Sequence, residues 1–174
     1  MGEIREPQPV KLIVSAFAGG GALLAEAKAR LSDEFGPIDY ESALLPFDHT
    51  AYYTPEFGPG LVRRIWAFED LIEQGELAAI KRRTNGIEME WAVEGRRRVN
   101  LDPGFVSHSK MVLATTKNHT HRIYIGEGIY AEVTLYFRDG SFHAWPWTYP
   151  DYASIPYLEI FNQIRALYAA QMKR

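Results

Sequence analysis

The sequence predicts an α+β protein whose core is a ferredoxin-like β-α-β-β-α-β unit. Two observations predict it. Short runs rich in β-branched and aromatic residues alternate with two longer segments whose apolar residues recur at helical spacing. In chain order, these segments form strand, helix, strand, strand, helix and strand over residues 10–104. A C-terminal antiparallel hairpin, a third short strand and a terminal helix are expected to extend this core over residues 105–174.

Each element of the core is predicted from a local pattern. The first strand is apolar along its length, which is typical of a strand buried on both faces. Three consecutive glycines form a turn after it, and the next helix ends before Gly36 and Pro37. The predicted elements are strand Val10–Phe17, helix Ala22–Phe35, strands Ile38–Phe47 and Leu61–Glu69, helix Leu71–Trp91 and strand Arg97–Leu101. Residues 48–60 form a loop rich in proline, glycine and aromatic residues.

The second half of the chain is less uniform. Residues 102–104 (Asp-Pro-Gly) have the composition of a turn. Residues 105–116 fit a helix, but their stretch MVLAT fits a strand equally well, so both structures stay open. The expected order is then a hairpin at Thr120–Arg138, a strand at Ser141–Trp145, an extended proline-aromatic segment at 146–152 and a last helix capped by Ser154.

The stretch THRIYIGEGIYAEVT (residues 120–134) is nearly symmetric about Glu127, which predicts a hairpin with a specified register. With a turn at residues 126–128, the apolar face pairs Ile125 with Ile129, Ile123 with Ala131 and His121 with Val133. The other face pairs Tyr124 with Tyr130, Arg122 with Glu132 and Thr120 with Thr134. Because neighbouring strand residues face opposite sides, we expect His121 and Arg122 on different faces.

Composition and charge narrow the class of protein. The 174 residues have a net charge of −3 and include no cysteine, which excludes disulfides, thiol nucleophiles and thiolate metal sites. The negative charge argues against general nucleic-acid binding, which depends on a basic surface. The basic runs at 81–83 and 96–98 are expected to be solvated surface. No apolar window is long enough for a membrane span, and the polar N-terminus does not resemble a secretory signal. We expect a single-domain cytoplasmic protein, 1–174, that does not act at a membrane.

Several longer motifs resemble those of one bacterial family. They are FGPIDYES, PFDHTAYYTPEFGPGL, NLDPG, LATTK, HRIY, GIYAEVTL and PWTYPDY. The family is similar to this chain from the first strand to the last helix and is known as domain of unknown function 4416. The resemblance implies no established activity, although some members are labelled GTP-binding proteins.

The residues do not match a classical GTPase. A phosphate-binding loop needs Gly-x4-Gly-Lys-Ser/Thr, and Ala22 and Leu23 follow the glycines at 19–21 instead. The guanine-reading motif of GTPases resembles Asn/Thr-Lys-x-Asp. Thr116 and Lys117 match its first two positions, but His119 replaces the aspartate. The glycines can still seat an anion at a helix N-terminus, and a plain turn is the simpler alternative.

Three residues are predicted to be catalytic. Asp48 beside His49, in a loop with Tyr52 and Tyr53, is the best local acid–base pair, and the alternative is that Asp48 caps a turn. Asp102 lies at the C-terminal end of a predicted strand, where functional residues and tight turns both occur. The sequence leaves open whether the protein is an enzyme.

Basic and aromatic side chains are predicted to bind a small phosphorylated or nucleotide-like ligand. One of the two arginines on the strand at 61–69 must point inward and pair with an acid or an anion. Basic residues also adjoin aromatic ones in ATTKNHTHR and near WPWTYPDY, whose rings stack on a ligand or cover the sheet. The predicted ligand-binding residues are Arg63, Arg64, Lys117, Arg122, Tyr124, Tyr130, Glu132, Trp147 and Tyr149.

The sequence gives less support to two other kinds of site, a two-histidine phosphoesterase and a metal site. A two-histidine phosphoesterase needs histidine and threonine on one strand face, whereas His49-Thr50 and His119-Thr120 are adjacent. Residues with the chemistry of metal ligands are Asp48, His49, Asp102, His119, His121 and Glu132. Spacing fixes no third ligand, so no metal is assigned and any cofactor stays unknown.

Two functions therefore remain. The first is binding, with or without turnover, of a small phosphorylated ligand. The second is a non-catalytic assembly module that uses an aromatic sheet face as a homodimer or partner interface. We favour the first, because interfaces are usually depleted in the charged residues found here.

Overall fold

A computed structural model describes residues 2–173 of the chain. The strands are β1 Val10–Ala18, β2 Ile38–Glu41, β3 Leu45–Pro46, β4 Val62–Ile72, β5 Val99–Val106, β6 Lys110–Thr115, β7 Ile123–Gly126, β8 Ile129–Arg138 and β9 Ser141–Ala144. The helices are α1 Gly21–Phe35, α2 Thr54–Phe57, α3 Leu77–Glu90 and α4 Ile155–Gln171, and a 3₁₀ turn at Gln74–Glu76 precedes α3. The predicted α+β class is confirmed.

The strands of the described chain form one antiparallel sheet. Its order is β2-β4-β1-β5-β6-β8-β7, with β3 paired to β4 and β9 paired to β8. β1 lies between β4 and β5, and its last residue, Ala18, is opposite Val62 and Val99. The end of β1 therefore lies beside the starts of β4 and β5, and this position determines where the candidate site forms.

Helices cover both faces of the sheet. The helices α1 and α3 pack on the face that carries Leu12, Val14 and Trp66. On the opposite face, α4 packs against a second cluster that contains Ile13 and Ile65. All nine residues of β1 are buried, which confirms that this strand is covered on both faces.

The predicted turn at residues 102–104 is wrong. These residues belong to β5, where Asp102 lies opposite Ser15 and Pro103 lies opposite Val14 of β1. Proline lacks an N–H, and it is tolerated because β5 begins to pair with β6 only at Gly104. Residues 105–116, which fitted either structure, form the end of β5 and the strand β6.

Three segments of the core differ from the prediction. The segment 38–47 contains two short strands, because Ser42 leaves the strand path and bonds to Ile65 through both its N–H (2.9 Å) and its Oγ (3.0 Å). The helix expected from Leu71 begins at Leu77, because β4 extends to Ile72. The loop at 48–60 contains the one-turn helix α2.

The hairpin of β7 and β8 confirms the central part of the predicted register. Ile123 lies opposite Ala131 and Tyr124 lies opposite Tyr130. At the tip, Gly126 rather than Ile125 lies opposite Ile129. Before β7, residues 119–122 form a turn closed by a 3.0 Å hydrogen bond from the Arg122 N–H to the His119 carbonyl. The alternation of a strand therefore does not apply to His121 and Arg122.

Within residues 2–173, no helix combines the length and the apolar character needed to cross a membrane.

Candidate functional site

A cavity of about 530 Å³ opens where β1 ends and α1 begins. Its other walls come from α2 and from the loop before β5. The lining residues are Gly19, Gly20, Ala22, Leu23, Glu56, Phe57, Val93, Glu94, Arg96, Arg97 and Arg98. We call it the arginine cavity. Its volume lies within the range of small-molecule sites, roughly 300–1,000 Å³.

The first turn of α1 offers backbone donors to the arginine cavity. Gly20 is the N-cap residue, and within residues 2–173 the helix has no side-chain cap and no acid in its first turn. The first N–H groups of a helix have no intrahelical acceptor and carry partial positive charge. Because Ala22 and Leu23 in this turn line the cavity, its wall is electropositive at this point.

A tight turn brings the arginines to the opposite wall. Val93 and Arg96 exchange two backbone hydrogen bonds of 3.0 Å, and Glu94 and Gly95 between them have φ values of 51° and 76°. Within residues 2–173, Arg96 and Arg98 make no ion pair with a carboxylate, and both are exposed. Their charges are therefore available to an anion in the cavity.

Arg97, in contrast, is held on both sides. Its Nε and Nη2 donate to Glu56 at 2.8 and 2.9 Å, and its Nη1 donates to Glu88 at 3.0 Å and to Asn100 at 3.2 Å. The hydrogen bonds from Arg97 lower the pKa of Glu56, whereas burial raises the pKa of Glu88. Arg97 therefore joins α2 and α3 to the start of β5.

The same network reaches Asp102, a predicted catalytic residue. Glu88 Oε1 accepts the Leu101 N–H at 2.6 Å, and Lys81 Nζ donates to the Leu101 carbonyl and to Asp102 Oδ1, both at 3.1 Å. Asn100 donates to the second oxygen of Asp102 at 2.7 Å. Both carboxylate oxygens of Asp102 are thus engaged, and its catalytic role stays a prediction.

The two arginines of β4 point in different directions. Arg63 is 4% exposed and pairs with Asp151 at 2.5 Å, and its guanidinium lies 4.1 Å from the centre of the Phe47 ring. Arg64 donates to the Ser42 carbonyl at 2.5 Å and lies 3.4 Å from Glu41. One arginine therefore points inward and meets an acid, as the sequence predicted. Ligand binding by either arginine remains a prediction.

Four other predicted residues meet in one cluster. Arg122 Nε donates to Glu132 at 2.9 Å, while its Nη2 donates to the Tyr149 hydroxyl at 2.9 Å and its Nη1 to the Lys117 carbonyl at 3.0 Å. His121 Nε2 lies 3.0 Å from the same oxygen of Glu132. The predicted separation of His121 from Arg122 is therefore wrong, because the turn before β7 directs both toward Glu132.

The remaining predicted residues lie apart from one another. Asp48 and His49 are both exposed, and no hydrogen bond between them is found in residues 2–173. Tyr124 and Tyr130 meet on the outer hairpin with ring centres 5.4 Å apart. Trp147 lies beside His121 in a second cavity, which is described below. The predicted acid–base and ligand-binding roles of these residues are untested.

Among residues 2–173, no group of three or more histidine, cysteine, aspartate or glutamate side chains could hold a metal ion.

Sequence reasoning identified the glycines at 19–21 as able to seat an anion, but it missed the arginines that line the same cavity. It treated residues 96–98 as solvated surface and did not connect them with the glycines at 19–21. The available signal was the triple glycine between a buried strand and a helix. The two segments are far apart in the chain, and they meet because β5 pairs with β1.

The fold and the site define a class of protein: an α+β domain with helices on both faces of an antiparallel sheet and a basic cavity of ligand size. The chain matches the family model described as Domain of unknown function (DUF4416) over residues 8–168, and it belongs to that family. This match confirms the resemblance seen in the sequence motifs. Comparisons with curated proteins and with solved structures give no match.

Proposed function

We propose that the protein binds a small phosphorylated ligand in the arginine cavity. One observation supports this most directly: Arg96 and Arg98 line the same cavity of about 530 Å³ as the first turn of α1. Within residues 2–173, neither arginine has a carboxylate partner. Arginine forks and helix N–H groups both suit phosphate oxygens. The phosphate would lie between Gly20 and the two arginines.

The surroundings favour a ligand larger than phosphate alone. Phe57 also lines the cavity, and the guanidinium of Arg97 lies 5.3 Å from the centre of its ring. The charge of Arg97 is neutralised by Glu56, so Arg97 forms part of the cavity wall, and Arg96 and Arg98 would bind the anion. A sugar phosphate or a mononucleotide fits this combination of charge, volume and one aromatic wall.

The test is a calorimetric and thermal-shift titration with named probes: inorganic phosphate, ribose 5-phosphate, AMP and GMP. A phosphorylated probe that binds should raise the melting temperature with its concentration. The variant Arg96→Gln/Arg98→Gln should weaken its binding at least about tenfold, the loss of roughly 1.5–3 kcal/mol expected for a charged hydrogen bond.

A matched control comes from the other basic run. Arg82 and Arg83 are also exposed and adjacent, but they lie on α3 and do not line the cavity. Arg82→Gln/Arg83→Gln should bind like the wild type at the same ionic strength. If no probe binds, or if both double variants lose the same affinity, the proposal is wrong.

We further propose that residues 10–106 form a ferredoxin-like unit and that the protein acts in the cytoplasm. The order β2-β4-β1-β5, with antiparallel neighbours and helices after β1 and β4, supports the first point. The absence of cysteine from the 174 residues fits a reducing compartment and supports the second.

A second candidate function is assembly through β7. This strand ends the sheet and exposes Ile123 (72%) and Tyr124 (59%), and such an edge can pair with another chain. Light scattering should then show a dimer at micromolar concentration that Tyr124→Ala/Tyr130→Ala dissociates. A wild-type monomer under these conditions would exclude this function.

A further inference from the structure

A second cavity, of about 480 Å³, lies between the end of the sheet and the segment that follows β9. The lining residues include Gln74, Lys110, His121, Ile123, Trp145 and Trp147. We call it the aromatic groove. We propose that it is a separate ligand site that takes a flat aromatic molecule carrying one negative charge.

One wall of the groove belongs to a ladder of nearly parallel rings. The rings of Trp145 and Trp147 lie 5.1 Å apart at an angle of 10°, and His121 lies 5.6 Å from Trp147 at 16°. At one end Tyr136 packs on Trp145 at 4.4 Å, and at the other His119 lies 6.0 Å from His121. The neighbouring rings cover the faces of the middle ones, so a ligand ring would meet the ladder at its edges, and edge-to-face contact is one of the arrangements that aromatic pairs prefer.

The ladder is held in place by the sheet. β8 pairs with β7 near Tyr130 and with β9 from Leu135, which leaves residues 132–134 without a strand on that side. Trp147 Nε1 donates to the Val133 carbonyl at 3.2 Å, and the Thr148 hydroxyl donates to the Thr134 carbonyl at 2.6 Å. These bonds use the vacant backbone acceptors and fix the indole before any ligand arrives, which limits the entropy lost on binding.

The rest of the groove is apolar and open to solvent. Val112, Val133 and Ile125 line it, and Ile123 at its mouth is 72% exposed. Apolar and aromatic side chains with a few polar groups among them are the usual lining of a small-molecule site. A sugar is disfavoured, because the lining offers few polar side-chain groups. Besides the indole N–H groups of the two tryptophans, they belong to Gln74, Lys110 and His121.

The charge of the ligand is indicated by Lys110, the one lysine or arginine among the lining residues. No carboxylate within residues 2–173 forms an ion pair with it. Lys110 lies opposite Tyr136 in the pairing of β6 with β8, and Tyr136 packs on Trp145. The ammonium group is therefore at the Trp145 end of the ladder, where it would meet an acid group on the bound ring.

Two dyes that differ by one group test both parts of the proposal. The probes are 8-anilinonaphthalene-1-sulfonate and the uncharged N-phenyl-1-naphthylamine, followed by fluorescence titration. Both should bind at a single saturable site. Lys110→Met should weaken the sulfonate about fivefold, the size of one exposed ion pair, and should leave the uncharged dye unchanged.

The apolar part is tested by two substitutions with one matched control. Trp147→Ala removes the central ring, and Ile123→Arg places a charge at the mouth without disturbing a buried contact, so at least one variant keeps the fold. Trp147→Ala should reduce the affinity for either dye at least tenfold. Ile123→Arg should reduce the affinity for the uncharged dye at least tenfold, whereas its positive charge partly offsets the loss for the sulfonate. Ile155, at the start of α4, is also 72% exposed and does not line the groove, so Ile155→Arg should bind like the wild type.

Several outcomes would overturn the proposal. One is an equal loss of affinity for the uncharged dye in Ile123→Arg and Ile155→Arg. The others are an equal effect of Lys110→Met on the affinity for both dyes, and the absence of saturable binding. A dimer that Ile123→Arg separates, with dye binding appearing only in the monomer, would show that a second copy occupies the groove. Arg96→Gln/Arg98→Gln should retain dye binding, so this test is independent of the arginine cavity.

Discussion

Gly104 shows how one position constrains the sheet. It is the residue at which β5 first pairs with β6, opposite Leu113. A Cβ at this position would overlap the Val112 carbonyl oxygen and lie 2.9 Å from Leu113 Cδ2. The motif NLDPG thus has structural reasons for two residues: Pro103 needs no partner from β6, and Gly104 permits the close approach.

Gly104→Ala should therefore destabilise the protein, by about 3 kcal/mol if the strands can only partly separate. Gly86 in α3 is a matched control, since a Cβ there meets nothing within 4 Å. Gly86→Ala should stabilise by about 0.5–1 kcal/mol, because alanine favours the helix. Urea unfolding of the two variants measures both effects, and equal effects would contradict the close approach.

His121 and Arg122 show where residue-level reasoning fails. Alternation placed them on opposite faces, but both contact Glu132. The rule holds only while the chain is a strand, and β7 begins one residue later, at Ile123. A difference of a few residues in a strand boundary is thus enough to change which side chains meet.

At the scale of elements, buried charges join α3 to β5 in addition to the apolar cluster that the two elements share. Glu88 on α3 is 2% exposed, yet it accepts the Leu101 N–H of β5 and pairs with Arg97. Glu90 on the same helix pairs with Arg30 at the surface. Two glutamates two positions apart therefore have very different environments.

Glu88→Ala should cost about 3 kcal/mol, because it leaves the buried Leu101 N–H without its acceptor and removes one of the two carboxylates that pair with Arg97. Glu88→Gln should cost less, since an amide oxygen still accepts from Leu101 and burial already raises the pKa of Glu88. Glu90→Ala, the matched control, should cost less than about 1 kcal/mol. Chemical unfolding measures the free energy of unfolding of the three variants. Equal losses of stability in Glu88→Ala and Glu90→Ala would contradict a stabilising role for the Glu88 network.

At the scale of the whole molecule, the α4 side of the sheet holds two buried tyrosines, Tyr152 and Tyr157, and a half-buried one, Tyr53. Tyr53 packs on Phe17 at 4.8 Å, and Tyr152 and Tyr157 belong to the cluster under α4. Burial raises the pKa of all three, and that of Tyr53 reaches about 12. The folded protein therefore keeps protons that the unfolded chain loses above pH 10.

This difference predicts alkaline unfolding. The stability linked to Tyr53 is fully present below its unfolded pKa of 10.0 and is lost as pH rises toward about 12. Urea midpoints measured between pH 8 and 11 should fall more steeply in the wild type than in Tyr53→Phe. Tyr124→Phe, at an exposed position on the hairpin, should follow the wild type. Parallel curves for wild type and Tyr53→Phe would contradict the prediction.

The sequence by itself determined features that depend on neighbours along the chain. The burial of β1, the glycine turn before α1 and the central hairpin pairs follow from local periodicity and turn chemistry. The α+β class follows from the order of these elements, and the family follows from the longer motifs.

Only the tertiary structure decided which distant residues share a site. Pairing of β5 with β1 brings Arg96 and Arg98 to Gly20, and the unpaired backbone of β8 fixes Trp147 beside His121. The physical reason is that strand pairing joins segments far apart in the chain. No local pattern of charge or apolar spacing specifies which loops then face one another.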